Sequence, residues 1–284
     1  MLALRRLVGF GLTGLLCLSI GCGGGKTEDP GTAPPAGTTY KPTGDEGTVS
    51  GKVSFNGTAP TPRKLSMDAD SACAAKNQGA VSDEVVVTDG KLANVFVYVK
   101  DGSGISGKTF DSPTTPVVLD QNGCVYQPHI VALMVRQPLE VTTHDATSHN
   151  INVIPKTNQS FNETQGPNGA AIRKTFARGE TQIPVKCNQH PWMRAIINVM
   201  SHPFYAVSSK DGSFQIKGLP PGTYTIAAWH EKYGEKTQSV TVGAKESKTA
   251  DFAFDATSAT NREYAPSSLA LGETLILPAA AMKH

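Results

Sequence analysis

The chain has 284 residues, of which 39% are hydrophobic and 18% charged, ordinary values for a soluble protein that buries a core. The 26 Lys and Arg stand against 24 Asp and Glu; without Arg5 and Arg6 the balance is 24 to 24, and the clustered basic surface of a nucleic-acid binder is missing. Plentiful glycine (28) and proline (19) between short Val-, Thr- and Ile-rich runs point to β-sheet with many turns rather than to long amphipathic helices.

The amino terminus reads as an export signal. Arg5 and Arg6 form its charged part and Leu7 to Ile20 its apolar part, a run too short for a membrane span. Residues 18–22, Leu-Ser-Ile-Gly-Cys, resemble a bacterial lipobox, with Ser19 where leucine is usual. The expectation is a lipoprotein signal over 1–21, lipidation at Cys22, and a place in the bacterial cell envelope, periplasmic or outer-surface, held to the membrane by the lipid. Residues 22–46, rich in Gly, Pro and Thr, are expected to be a flexible tether.

Ordered structure is expected from Thr48 to Phe55, with Val49, Val53 and Phe55 on one face and a turn at Asn56-Gly57. Val95 to Val99 carries valines on one face and aromatics on the other, which suits a strand covered on both sides. Further strands are predicted at Ile130–Val135, Leu139–Thr143, His149–Ile154, Ile183–Cys187 and Ala195–Met200 by their alternation. After Ser201, strands are predicted at Gly212–Ile216 and Tyr224–Trp229, reversed at Pro220-Pro221-Gly222, then at Ser239–Val242 and Asp251–Phe254. Residues 255–284 form a tail without firm periodicity.

Five cysteines separate by context. Cys17 leaves with the signal and Cys22 takes the lipid. Cys73 and Cys124 remain as a pair that an oxidising compartment would bridge, or as two independent thiols. Cys187 opens a different pattern: Cys187-Asn188-Gln189-His190-Pro191-Trp192-Met193 puts a thiolate, an imidazole and a thioether in one short loop after a strand. Upstream, Asp145 to Asn150 leads His149 into another strand. Two imidazoles, a thiolate and a weak thioether suit one copper ion that moves between its two oxidation states. No position is left for substrate, which favours electron carriage over catalysis. Zinc prefers four Cys or His donors, a dinuclear copper site needs a second cysteine in this loop, and the seven histidines form no H-x-H pair of the multicopper oxidase kind. Lone His or Met residues are more often packing or surface groups; His129 and Met134 are therefore weak auxiliary donors and His144 an exposed loop residue. Trp192 beside His190 fits either a docking rim or packing beneath the loop.

With these residues in view, 116–200 resembles the cupredoxin family of blue copper proteins, and the closing loop has amicyanin-type spacing. The resemblance implies a Greek-key β-sandwich, with His149, Cys187 and His190 as equatorial ligands and Met193 as axial ligand. It also implies that Asn150 ties the two ligand loops together and that His190 is the near-surface ligand through which electrons pass to a redox partner protein in the envelope. Gly212 to Ile226, with the opening Gly47 to Val53, resembles the carboxypeptidase regulatory-like, prealbumin-type β-sandwich. The expected architecture is therefore all-β: a cupredoxin sandwich over 113–200 and a second prealbumin- or Ig-like sandwich, discontinuous, from 47–112 with 201–254. Two consecutive domains divided near Ser201 are the simpler alternative. Copper storage or delivery, and a surface-binding module for cell-envelope carbohydrate, are the rival functions.

Overall fold

The computed structural model describes residues 37–259; the signal, Cys17, the lipidation site Cys22 and the tail beyond 259 lie outside them. Structure begins earlier than the expected tether allows. Thr38–Thr39 pairs in parallel with Lys108–Thr109, the Tyr40 and Phe110 rings are 5.5 Å apart, and the Asp45 carbonyl accepts the Lys245 amide at 2.9 Å. Main-chain pairing needs no apolar periodicity, which is why a Thr-rich stretch can dock without advertising it.

Beyond that short pairing, the described residues form four sheets stacked as two sandwiches. In the outer sandwich, Gly47–Asn56 pairs antiparallel with Ser213–Leu219 and parallel with Ser247–Thr249 and Phe252–Asp255. The opposing sheet runs Tyr205–Val207, Phe96–Gly102, Gly222–His230, Gly234–Val242. Strands from either side of 113–200 thus share both sheets. Their core includes Val49, Val53, Val97, Val99, Ile216, Ile226 and Phe254, all at most 1% exposed. Gly104 lies directly under the Tyr224 ring, where any Cβ would overlap the phenol.

The inserted sandwich has one sheet in the order Phe161–Gln165, His149–Val153, Glu180–Lys186, Arg194–Met200, Ile130–Met134. Facing it are Ile172–Lys174, Leu139–Thr143, Val117–Gln121 and Tyr126–Gln127. Leu119, Leu133, Val141, Ile151, Val153 and Ile197 fill the space between them. The strand Phe96–Gly102 is covered on both faces: its valines enter the outer core, while Phe96 and Tyr98 join Trp229, Ile130, Ile196 and Met200 in the seam between sandwiches. The all-β expectation of two sandwiches holds.

One segment departs from the sequence-based division. Residues 65–80, counted with 47–112, pack on the inserted sandwich: Met67 and Cys73 are buried in its core, and Leu65, Ala74 and Ala80 lie against it. This segment contains the helix Ser71–Lys76, the one α-helix among the described residues.

Candidate metal centre

His149 opens the strand His149–Val153 and Cys187 directly follows Glu180–Lys186. These strands are antiparallel neighbours through Asn152↔Lys186 and Val153↔Val185, so both donors emerge at one end of the sheet. Period-two alternation turns His149 inward with Ile151 and Val153, all 0% exposed. The loop that follows Cys187 closes on itself. The Met193 amide donates to the His190 carbonyl at 2.9 Å, and the Cys187 amide donates to the Met193 carbonyl at 3.2 Å. This brackets His190 between two backbone bonds and places Met193 in the buried cluster that contains Cys187.

The donor atoms converge. Nδ1 of His149 is 3.0 Å from Nδ1 of His190, and that nitrogen is 3.7 Å from Cys187 Sγ. Asn150 joins the two loops. Its amide donates to Cys187 Sγ at 3.4 Å, and its Oδ1 accepts the Asn188 amide at 3.1 Å. Its Nδ2 reaches Asn162 and the Glu163 carbonyl.

Each imidazole has its other nitrogen on a carboxylate. His149 Nε2 is 2.8 Å from Asp145 Oδ2, and His190 Nε2 is 3.2 Å from Asp70 Oδ2. Asp145 is buried, and its oxygens also accept from the amides of Gly123 and Cys124 and from Lys76 Nζ, each at 2.8 Å. Burial opposes the charge on Asp145, but the bonds to His149, Lys76 and these amides hold its carboxyl far below the usual range. Asp70 is lowered to about 2, chiefly by the Thr147 hydroxyl and the Cys73 amide. Ionised carboxylates only accept, so each Nε2 carries a proton and each Nδ1 presents a lone pair inward.

Two lone pairs 3.0 Å apart beside a buried sulfur make a pocket that demands a cation. Although burial works against its charge, the Asp145 bond and the nearby Cys187 raise the His149 imidazole to about 9. Cys187 is lowered despite burial by His149 and by the amides of Asn150, His190 and Gln189. His190 is pushed down by burial and by the adjacent His149, against the pull of Asp70.

The expectation that His190 is near the surface is not met. It is 4% exposed, covered by Asp70 and by Cys73, whose Sγ lies 4.0 Å from its Nε2. Cys73 and Cys124 are joined in a disulfide. Trp192 is partly exposed, its ring centroid 5.0 Å from that of His190, and its indole N–H donates to the Cys124 carbonyl at 3.0 Å. His144 is exposed and pairs with Asp120, while His129 bonds Asp83 and Glu231 away from the centre. Sequence reasoning does not single out Asp145, Asp70 or Lys76 as functional. The one hint is Asp145 itself, four residues before His149 in the same loop.

Residues 190–255 match the carboxypeptidase regulatory-like domain. This regulatory-like match covers the carboxyl-terminal strands of the outer sandwich together with the last strand of the inserted one. No curated protein matches the chain. Among solved structures, a copper-containing nitrite reductase from Thermus scotoductus is 23% identical with a TM-score of 0.29, over 31% of this chain and 23% of that one. The chain thus spans about a quarter of that enzyme. A mutant amicyanin in its reduced Cu(I) form is 16% identical with a TM-score of 0.28, over 37% of this chain and 98% of the amicyanin. A purple cupredoxin from Nitrosopumilus maritimus is 19% identical with a TM-score of 0.26, over 30% and 99% of the two chains.

Proposed function

We propose that the chain is an exported, lipid-anchored copper protein of the cell envelope that carries single electrons to and from a partner protein. The convergence of two imidazole Nδ1 atoms and one thiolate sulfur, with both outward nitrogens already on carboxylates, carries this reading. His149, Cys187 and His190 would hold the ion, with the buried Met193 of the same loop as the fourth, weaker donor. A copper ion bound there supplies a one-electron couple, because thiolate and thioether favour its reduced state while imidazoles accept both.

The chain's own residues do the rest. Asn150 and the loop bonds of Met193 fix the donors before metal arrives, so little rearranges on electron gain or loss. Burial of all four donors supports retention of the ion over delivery of it to another protein. With the His190 edge covered, Trp192 is a partly exposed aromatic group in contact with a ligand and the natural docking face.

The test is reconstitution with Cu(II). One copper per chain by mass spectrometry and an intense visible thiolate-to-copper band are expected, and Cys187→Ser removes the band. A protein that stays colourless with copper bound, or binds none, overturns the reading.

A further inference from the structure

The four-donor motif does not require residues 65–80, yet they sit on it. The inner side of this segment, Met67 and Cys73, is 3% and 0% exposed and belongs to the cluster that contains Cys187 and Met193. A six-residue helix has no stability of its own, so its position is set by anchors. Four of them hold it. Cys73 is bonded to Cys124. Lys76 Nζ donates to Asp145 Oδ1 at 2.8 Å and to the His144 carbonyl at 2.7 Å. Asn77 Nδ2 donates to the Gly123 carbonyl at 2.8 Å. Asp70 Oδ2 accepts the Thr147 hydroxyl at 2.7 Å and faces His190 Nε2 at 3.2 Å.

We propose that this segment is a disulfide-tethered cap that closes the metal centre, and that Asp70 within it is a positioning residue for the ligand His190. The copper reading supplies the identity of the ion; the closure stands independently of it. Asp70 divides its two oxygens between two tasks. Oδ1 caps the helix, accepting the amides of Ala72 and Cys73 at 2.9 and 3.0 Å, for which an asparagine serves as well. Oδ2 holds the proton on His190 Nε2, so that Nδ1 stays free to face Cys187. An asparagine cannot do both: with its oxygen on the helix amides, it offers Nε2–H another N–H. The same cap reaches the second imidazole through Lys76 and Asp145, so both ligand histidines are oriented from one tethered element.

The test compares full-length wild type, Asp70→Asn, and the double variant C73S/C124S. In the metal-free proteins, alkylation of Cys187 by iodoacetamide is followed by mass spectrometry of the peptide that contains it. Alkylation is expected to be at least tenfold faster in C73S/C124S and about threefold faster in Asp70→Asn, whose disulfide and helix cap remain. Nitrogen-15 NMR is expected to show His190 protonated at Nε2 in wild type and its resonances moved in Asp70→Asn. In copper-loaded samples, transfer of copper to a chelator is expected to speed up in the same order. Equal alkylation rates in all three proteins, or unmoved His190 resonances in Asp70→Asn, overturn the proposal. If C73S/C124S does not fold, Asp70→Asn alone decides. A chain that binds no copper yet shows the rate differences overturns the copper reading and supports the cap; copper binding with equal rates does the reverse.

Discussion

At the scale of single residues, His129 shows how a histidine without a ligand role still shapes the molecule. It is 5% exposed, with Nδ1 3.2 Å from Asp83 and Nε2 on Glu231, so an inserted-sandwich residue is held by two carboxylates of the outer one. Burial opposes its charge, but these two partners raise it to about 10. A raised imidazole contributes stability that is complete below its ordinary range near 6.5 and is lost as pH rises through about 10. The unfolding midpoint of the metal-free protein is therefore expected to fall between pH 7 and 10. His129→Gln should flatten that slope and lower stability at pH 7 by about 2 kcal/mol, since it leaves Glu231 part-buried without a counter-charge. Calorimetry across that range checks both. The four proposed donors could be picked out in the sequence because soft and borderline ligands at this spacing have few other uses together. The carboxylates on their outward nitrogens were not, because nothing local tells a pairing Asp from a solvated one.

At the scale of elements, strands of four or more residues could be read from alternation except Val117–Gln121 and Phe161–Gln165, while the strands of two or three residues could not. The inward positions of Val117–Gln121 and Phe161–Gln165 include Gln121 and Gln165, 0% and 3% exposed, which hydrogen-bond each other between the sheets. This buried amide pair, which also donates to the carbonyls of Thr142, Val141 and Ala170, breaks the apolar pattern on both strands at once. The reversal at Pro220-Pro221 was legible, and the structure adds its fastening: the buried Tyr224 hydroxyl donates to the Pro220 carbonyl. Tyr224→Phe should lose that bond and leave a buried carbonyl without its donor, costing about 1–2 kcal/mol with the fold intact. Urea denaturation would measure it, and a change below about 0.5 kcal/mol would mean that the corner is held by packing alone.

At the scale of the whole molecule, the outer sandwich is assembled from both ends of the described chain around the inserted one. Gly47–Asn56 is hydrogen-bonded to strands that begin at Ser213, Ser247 and Phe252, and no covalent neighbour holds it there. A protease site placed at 112–115 should therefore cut the chain without separating it. After cleavage and reduction of the Cys73–Cys124 disulfide, the fragment with Gly47–Asn56 is expected to co-elute with the remainder in native gel filtration and to part from it in denaturant. Separation under native conditions would show that the sheets shared across the insertion contribute little. The seam of Phe96, Tyr98 and Trp229 against Ile130, Ile196 and Met200 adds a third apolar cluster, so the sandwiches are expected to unfold as one unit.

The sequence by itself determined the class of fold and the candidate donor set, because donor identity, turn residues and strand alternation are properties of neighbouring positions. Only the tertiary structure decided what stands over the donors. Asp70 and His190 meet across 120 residues, and Cys73 and Cys124 across 51. Contacts of that range leave no periodic trace in the chain; they exist because a short segment of one sandwich finds its apolar and polar partners on the other.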